Sequence, residues 1–112
     1  MDHSHVEQYR DQGYALIKGV FSPSEIQELQ AAFDRVYAQG LAHGKSFRDD
    51  NSLFKISEDE NLGPIMRIMQ WPSYFEQVLN RFRLDPRMLE ILRPVIGDNL
   101  KQIINQMHWK PP

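Results

Sequence analysis

Asn105-Gln106-Met107-His108-Trp109-Lys110-Pro111-Pro112 closes this chain of 112 residues, and its reading as a strand decides the fold. Strand side chains alternate between two faces. Gln102, Ile104, Gln106, His108 and Lys110 therefore fall on one side, and Lys101, Ile103, Asn105, Met107 and Trp109 on the other. The second face offers Ile103, Met107 and Trp109 to a core. The first is mostly polar and looks either into water, as one side of an antiparallel sheet commonly does, or into a polar pocket. Alternation does not choose between them. A strand that stops at Lys-Pro-Pro, just as it should turn into something further, reads as the end of a cut piece.

Upstream, the strongest local signal is Ser22-Pro23-Ser24-Glu25, which combines a Ser-x-x-Glu capping box with proline at the first helical position and Phe21 placed to staple onto Ile26. It predicts a helix over about 23–39, with Ile26, Leu29, Phe33, Val36 and Tyr37 on one face and Gly40 ending it. Ser4 and Glu7 have the same capping spacing, so a short helix over about 5–12 is expected, closed by Gly13. Tyr14 to Phe21, rich in Tyr, Ile, Val and Phe, reads as a strand. From Leu41 to Asn61 the Gly, Ser, Asp and Asn content and the run Glu58-Asp59-Glu60 read as an exposed, mobile loop. Leu62 to Met69 reads as a short helix. Ser73 with Glu76 caps a helix carrying Phe75, Val78, Leu79 and Phe82. Asp85-Pro86 opens another, which Pro94 should end or kink and Gly97 should close.

Composition excludes more than it assigns. At 41% hydrophobic and 25% charged the chain is ordinary globular material with one modest core. A net charge of -2 argues against nucleic acid and anionic membranes as partners, since both select basic patches. The absence of cysteine removes disulfides, thiolate catalysis and zinc-thiolate sites. No apolar run approaches the roughly 20 residues that span a bilayer. Met1-Asp2-His3-Ser4-His5 lacks the basic and apolar regions of a signal peptide, so a cytoplasmic location is the default.

The stretch from Leu100 to Pro112 resembles the segment just upstream of the metal motif in the phytanoyl-CoA dioxygenase family, whose members use non-haem iron(II) and 2-oxoglutarate. Tyr9-Arg10-Asp11-Gln12-Gly13-Tyr14-Ala15-Leu16-Ile17 and the residues on to Ser22 are similar to that family's opening. Gln70-Trp71-Pro72-Ser73, and Asp85-Pro86-Arg87 through Gly97-Asp98, resemble its bacterial members in the same order. The resemblance implies an α+β fold: residues 1–112 would be a single partial domain, the helix-rich amino-terminal part of a double-stranded β-helix, or jelly roll. Its long helix would pack on strands near 14–20 and 100–109. It also implies an Fe(II)/2-oxoglutarate-dependent dioxygenase acting on a small-molecule substrate. The family holds iron with a His-x-Asp pair after the Lys-Pro-Pro and a second His far downstream, and none of these positions exists here. A facial triad needs two imidazoles and a carboxylate. The expectation is therefore an amino-terminal fragment that binds no cofactor by itself, is inactive alone, and self-associates through an exposed strand edge. A non-catalytic helical interaction module and an inactive remnant are the alternatives.

Candidate site residues follow. Lys110, at the end of the polar strand face, is a compact charge suited to a carboxylate, and a neutral His108 imidazole can donate one hydrogen bond to it. The resemblance places Gln106 and His108 facing inward beside the cosubstrate, and matches Lys55 to a family lysine that contacts 2-oxoglutarate; the alternative for Lys55 is a solvated loop cation. His3, His5 and Glu7 imitate a chelating pair, but residues two apart on a helix point away from each other, so no metal site is assigned. His43 reads as a loop histidine. Trp71, Tyr74 and Trp109 read as core aromatics.

Overall fold

The computed structural model describes residues 3–111, so Pro112 of the Lys-Pro-Pro run lies outside it. The elements are α1 (Ser4–Gln12), α2 (Pro23–Leu41), β1 (Phe47–Asp49), β2 (Ser52–Asp59), β3 (Gly63–Gln70), α3 (Pro72–Phe75), α4 (Gln77–Arg83), α5 (Pro86–Ile96) and β4 (Gln106–His108). Together they make a mixed α+β domain whose open antiparallel sheet has the order β1-β2-β3-β4. No described helix is long and apolar enough to cross a membrane.

The capping box forms as expected. Ser22 Oγ accepts from Glu25 N at 3.2 Å while Glu25 Oε1 accepts from Ser22 N at 2.8 Å. From there α2 lays Ala32 and Val36, both fully buried, against Phe54 of β2, Met66 and Met69 of β3 and Leu79 of α4. Gly40 does not end this helix, which continues to Leu41. It is there for close approach: a Cβ at Gly40 would lie 2.5 Å from Met66 Cε and 2.8 Å from Phe54 Cδ2. The Phe54 ring has little room to yield, because it stacks on Phe47 at 4.2 Å and meets Phe75 edge-on at 5.0 Å.

The region expected to be loop and short helix is instead a β meander. Asp50, at φ 50, turns β1 into β2. At the next turn Asp59 Oδ1 accepts from the backbone N–H groups of Asn61 and Leu62, and Gly63 takes φ 74. Asp, Asn and Gly therefore do the work of turns here, not of an open loop. The helical look of Leu62–Met69 has a specific cause. Lys55 pairs with Ile68 but Ile56 pairs with Met66, leaving Arg67 as an extra residue. Such a bulge changes which face the following residues take, so Met66 and Met69, three apart, both point into the core. That spacing imitates a helix face.

Three further expectations are corrected. Tyr14–Phe21 forms no strand: Leu16 N donates to Gln8 Oε1 and the Val20 carbonyl accepts from Arg87, so its backbone groups are engaged by side chains, and Gly19 bends it at φ 71. Of the two outcomes expected at Pro94 the stop is excluded, since α5 runs through it to Ile96, and Gly97, at φ 95, closes the helix as expected. The terminal strand is only Gln106–His108, because Trp71 leaves the sheet in a left-handed turn at φ 57 and its N–H meets Asn105 O at 2.5 Å. Consequently Ile103 is 75% exposed and not in the core, whereas Trp109 packs on Tyr37 at 5.4 Å.

The amino-terminal ends of α2 and α5 are tied by Arg87, which reaches Glu25 at 2.5 Å, Asp85 at 2.8 Å and the Val20 carbonyl at 2.9 Å, over the Phe21 ring. Hydrogen bonds from the Arg87 guanidinium are the main reason both carboxyls titrate low, Glu25 at about 2 and Asp85 at about 2. Folded-state values below the unfolded ones mean that the unfolded chain takes up protons first. The clamp's contribution is complete above about pH 4.5, the ordinary Glu value, and disappears as pH falls towards about 2.

Two predictions follow from this packing. Gly40→Ala should lower stability by up to about 2 kcal/mol in denaturant unfolding, overpacking outweighing alanine's better helix propensity; a stabilised variant would contradict the close approach. Arg87→Met should raise the pH midpoint of acid unfolding, followed by circular dichroism, and bring the acid limb into the ordinary carboxylate range; an unshifted midpoint would show that the clamp is not coupled to folding.

Candidate functional site

The sheet gives one face to α2 and the core; the other is exposed at Arg48, Lys55, Gln106 and His108 and covered at Ile65, which lies opposite Ser57 and is buried. On the core side, Phe47, Phe54, Met69 and Met107 lie side by side across the strands. Alternation then sends their neighbours outward. Arg48, Leu53, Gln70 and Gln106 form one lateral row, and Lys55, Ile68 and His108 form the next. Lys55, expected in a loop, thus stands in a strand, and Gln106 and His108 are exposed on the face it shares. With Ile68 between them, Lys55 and His108 are two strand spacings apart, about 10 Å. Lys110 is exposed beyond the end of β4, on the side that alternation gives to Gln106 and His108.

The bulge adds Arg67 to this face. Its Nε donates to Ser57 Oγ at 2.9 Å, Ser57 being two residues from Lys55 on β2, and its carbonyl accepts from Trp109 N at 3.0 Å. That last bond carries the pairing of β4 one residue past His108. Arg48, Lys55 and Arg67 make the face cationic. Asp59 is the carboxylate that alternation along β2 puts on this face, and it is occupied with the hairpin turn, while Asp49 and Glu58 are exposed at the alternate strand positions.

His108 Nε2 lies 3.0 Å from Gln106 Oε1. An amide oxygen only accepts, so Nε2 carries the hydrogen, and the Gln106 amide nitrogen keeps both donors for a ligand. Lys55 adds an ammonium with three donors, and Leu53 and Ile68 supply an apolar floor between the polar groups. Such a face can hold a small anion with an aliphatic middle: carboxylate oxygens on Lys55 and Gln106, methylenes on Ile68.

The amino-terminal histidines are employed elsewhere. His5 is buried, and its Nε2 donates to the Ile91 carbonyl at 2.8 Å, docking α1 on α5. His3 meets the His5 ring edge-on at 5.9 Å. His43 lies in the turn after α2, stacked on Phe47 at 3.5 Å. Among the described residues no three His, Asp or Glu side chains converge as metal ligands. Trp71 and Tyr74 are not core residues. They stack on each other at 4.8 Å with the Arg83 guanidinium over both rings, and Tyr74 is 55% exposed.

Arg48, Arg67, Ile68 and Gln70 were not among the residues singled out from sequence. The usable signal was Leu53-Phe54-Lys55-Ile56-Ser57, an alternating run bounded by Asp50-Asn51 and Asn61-Leu62-Gly63. No protein-family model matches this chain, and no curated protein and no solved structure matches it.

Proposed function

We propose that this chain is the front part of an iron(II)/2-oxoglutarate-dependent oxygenase of the phytanoyl-CoA dioxygenase type, and that its open sheet face forms one wall of the cosubstrate pocket. The observation that carries the reading is the placement of Lys55, Gln106 and His108. The resemblance picks them out from distant parts of the sequence, and the strand register sets them in two adjacent rows of one cationic face. A sheet whose polar face is exposed at Lys55, Gln106 and His108 also suits a piece of a larger barrel. The described residues do not fit iron: no three His, Asp or Glu side chains converge among them. What these side chains do is bind and orient a dicarboxylate: Lys55 neutralises one end, the Gln106 amide fixes a carboxylate oxygen, and Ile68 keeps water from the middle.

One wall binds weakly. Where the sequence alone led to the expectation of no bound cofactor, the paired rows lead to weak binding of 2-oxoglutarate by the chain as it stands, with a Kd of about 1 mM, worth ~4 kcal/mol. In a titration followed by backbone amide NMR, Lys55, Ile68, Gln106 and His108 should shift together, and Lys55→Ala should weaken the binding about tenfold, the loss of one hydrogen bond to a charged group. Shifts confined to the helices, or an affinity unchanged in Lys55→Ala, would reject the assignment.

A further inference from the structure

Trp71 holds a backbone conformation that a bulky side chain rarely takes, the left-handed φ of 57. Such strain persists only where the surroundings over-determine it. Here they do: the buried Ser52 donates its hydroxyl to the Trp71 carbonyl at 2.8 Å, and the Trp71 N–H meets Asn105 O. These two ties turn the indole out of the sheet and set it behind the Tyr74 ring, with the two planes 17° apart. Arg83 stands 5.9 Å from the Trp71 ring centre and 5.5 Å from that of Tyr74. With the rings themselves 4.8 Å apart, the three distances make a nearly equilateral triangle. The guanidinium therefore reaches both rings from the side and does not lie on the far face of Tyr74, in keeping with the 55% exposure of that residue.

The arginine is held ready and left unpaired. Arg35, Arg81, Arg87 and Arg93 each have a carboxylate partner, whereas half-buried Arg83 has none among the described residues. Its Nε and Nη2 donate to Asn80 Oδ1 at 3.1 and 2.7 Å, which fixes the guanidinium plane, and Nη1 has only Gln102 Oε1 at 3.5 Å. Of an arginine's five N–H donors, two remain without a partner. The nearby amide oxygens are already taken, those of Asn80 and Gln102 by Arg83 and that of Asn105 by the Ser73 N–H. The indole N–H of Trp71 has no partner among the described residues. The surroundings of the ring pair are thus rich in donors and poor in acceptors.

We propose that Trp71, Tyr74 and Arg83 form a binding site for a small aromatic carboxylate, its ring stacked on the outer face of Tyr74 and its carboxylate on the spare donors of Arg83. An ionised carboxylate only accepts hydrogen bonds, which suits this donor set; sugar hydroxyls need donors and acceptors together. An aromatic ring matches the other half by offset stacking. The reach sets the size. With the guanidinium 5.5 Å from the Tyr74 centre, the anion belongs one or two bonds beyond the edge of a ring laid on Tyr74, and a nucleotide phosphate, a whole sugar away from its base, would overshoot. The proposal does not rest on the oxygenase reading, because it uses none of Lys55, Gln106 and His108.

Phenylacetate is the probe, titrated into the isotopically labelled chain. The indole N–H signal of Trp71, assigned by its loss in Trp71→Phe, should shift and saturate at millimolar concentration, and that of Trp109 should stay still. Phenylacetamide, which keeps the ring and loses the charge, and acetate, which keeps the charge and loses the ring, should each bind about tenfold more weakly. Arg83→Gln and Tyr74→Ala should each weaken phenylacetate about tenfold with the helical circular dichroism retained. Tyr74→Phe should bind as the parent does, and so should Lys55→Ala. No saturable shift of the Trp71 signal, or phenylacetamide binding as well as phenylacetate, would overturn the proposal. So would a loss of binding in Lys55→Ala, which would move the ligand to the cationic sheet face, or adenosine monophosphate binding more tightly than phenylacetate, which would make this a nucleotide site.

Discussion

The extra residue at Arg67 is the constraint on which the rest of the sheet depends. Without it, strict alternation along β3 would put Met66 and Met69 on opposite faces, and α2 would lose one of the two methionines on which Val36 and Gly40 rest. With it, both go inward and Ile68 is left outward in line with Lys55 and His108. A single backbone irregularity thus builds the core and composes the open face. It also frees the Arg67 carbonyl to receive Trp109, which anchors the end of the chain beside Tyr37.

Around this sheet the helices are held by discrete polar ties more than by deep burial. Arg87 joins the starts of α2 and α5, the Arg35–Glu76 pair at 2.8 Å joins α2 to the start of α4, and His5 joins α1 to α5. Glu76 is held below the usual carboxylate range by its hydrogen bonds from Arg35, and it accepts from Val78 N at the start of α4. The fully buried apolar set is small, and α5 contributes nothing to it. That combination, positioned helices over a modest core, leaves apolar surface exposed beside the polar sheet face.

Legibility in the sequence followed the range of the interaction. Ser22-Pro23-Ser24-Glu25 specifies its helix start through contacts within four residues, and the structure reproduces them bond for bond; Asp85-Pro86 and Gly97 are equally local. Gly40 failed as a stop signal because its role is set by Phe54 and Met66, which only the tertiary fold brings near. Leu62–Met69 failed because a bulge, invisible to periodicity, gives strand residues a helical spacing. Tyr14–Phe21 has strand composition, but the side chains of Gln8 and Arg87 take up its backbone N–H at Leu16 and carbonyl at Val20 in place of a neighbouring strand. For the site, alternation around His108 placed Gln106 and His108 on one face correctly, while the strand position of Lys55 depended on recognising two hairpin turns inside what looked like a loop. Arg67 owes its place to the register shift between β2 and β3, which no local pattern in the sequence reports.

The functional account requires Lys55, Ile68 and His108 to be neighbours, and this requires β3 to be a bulged strand between β2 and β4. Nuclear Overhauser contacts on the isotopically labelled chain decide it most directly. The backbone protons of Met69 should contact those of Phe54 on one side and Met107 on the other, with Arg67 outside the regular pattern. Contacts from each residue to the third one along through Leu62–Met69 would make that segment a helix, separate Lys55 from His108, and contradict the account.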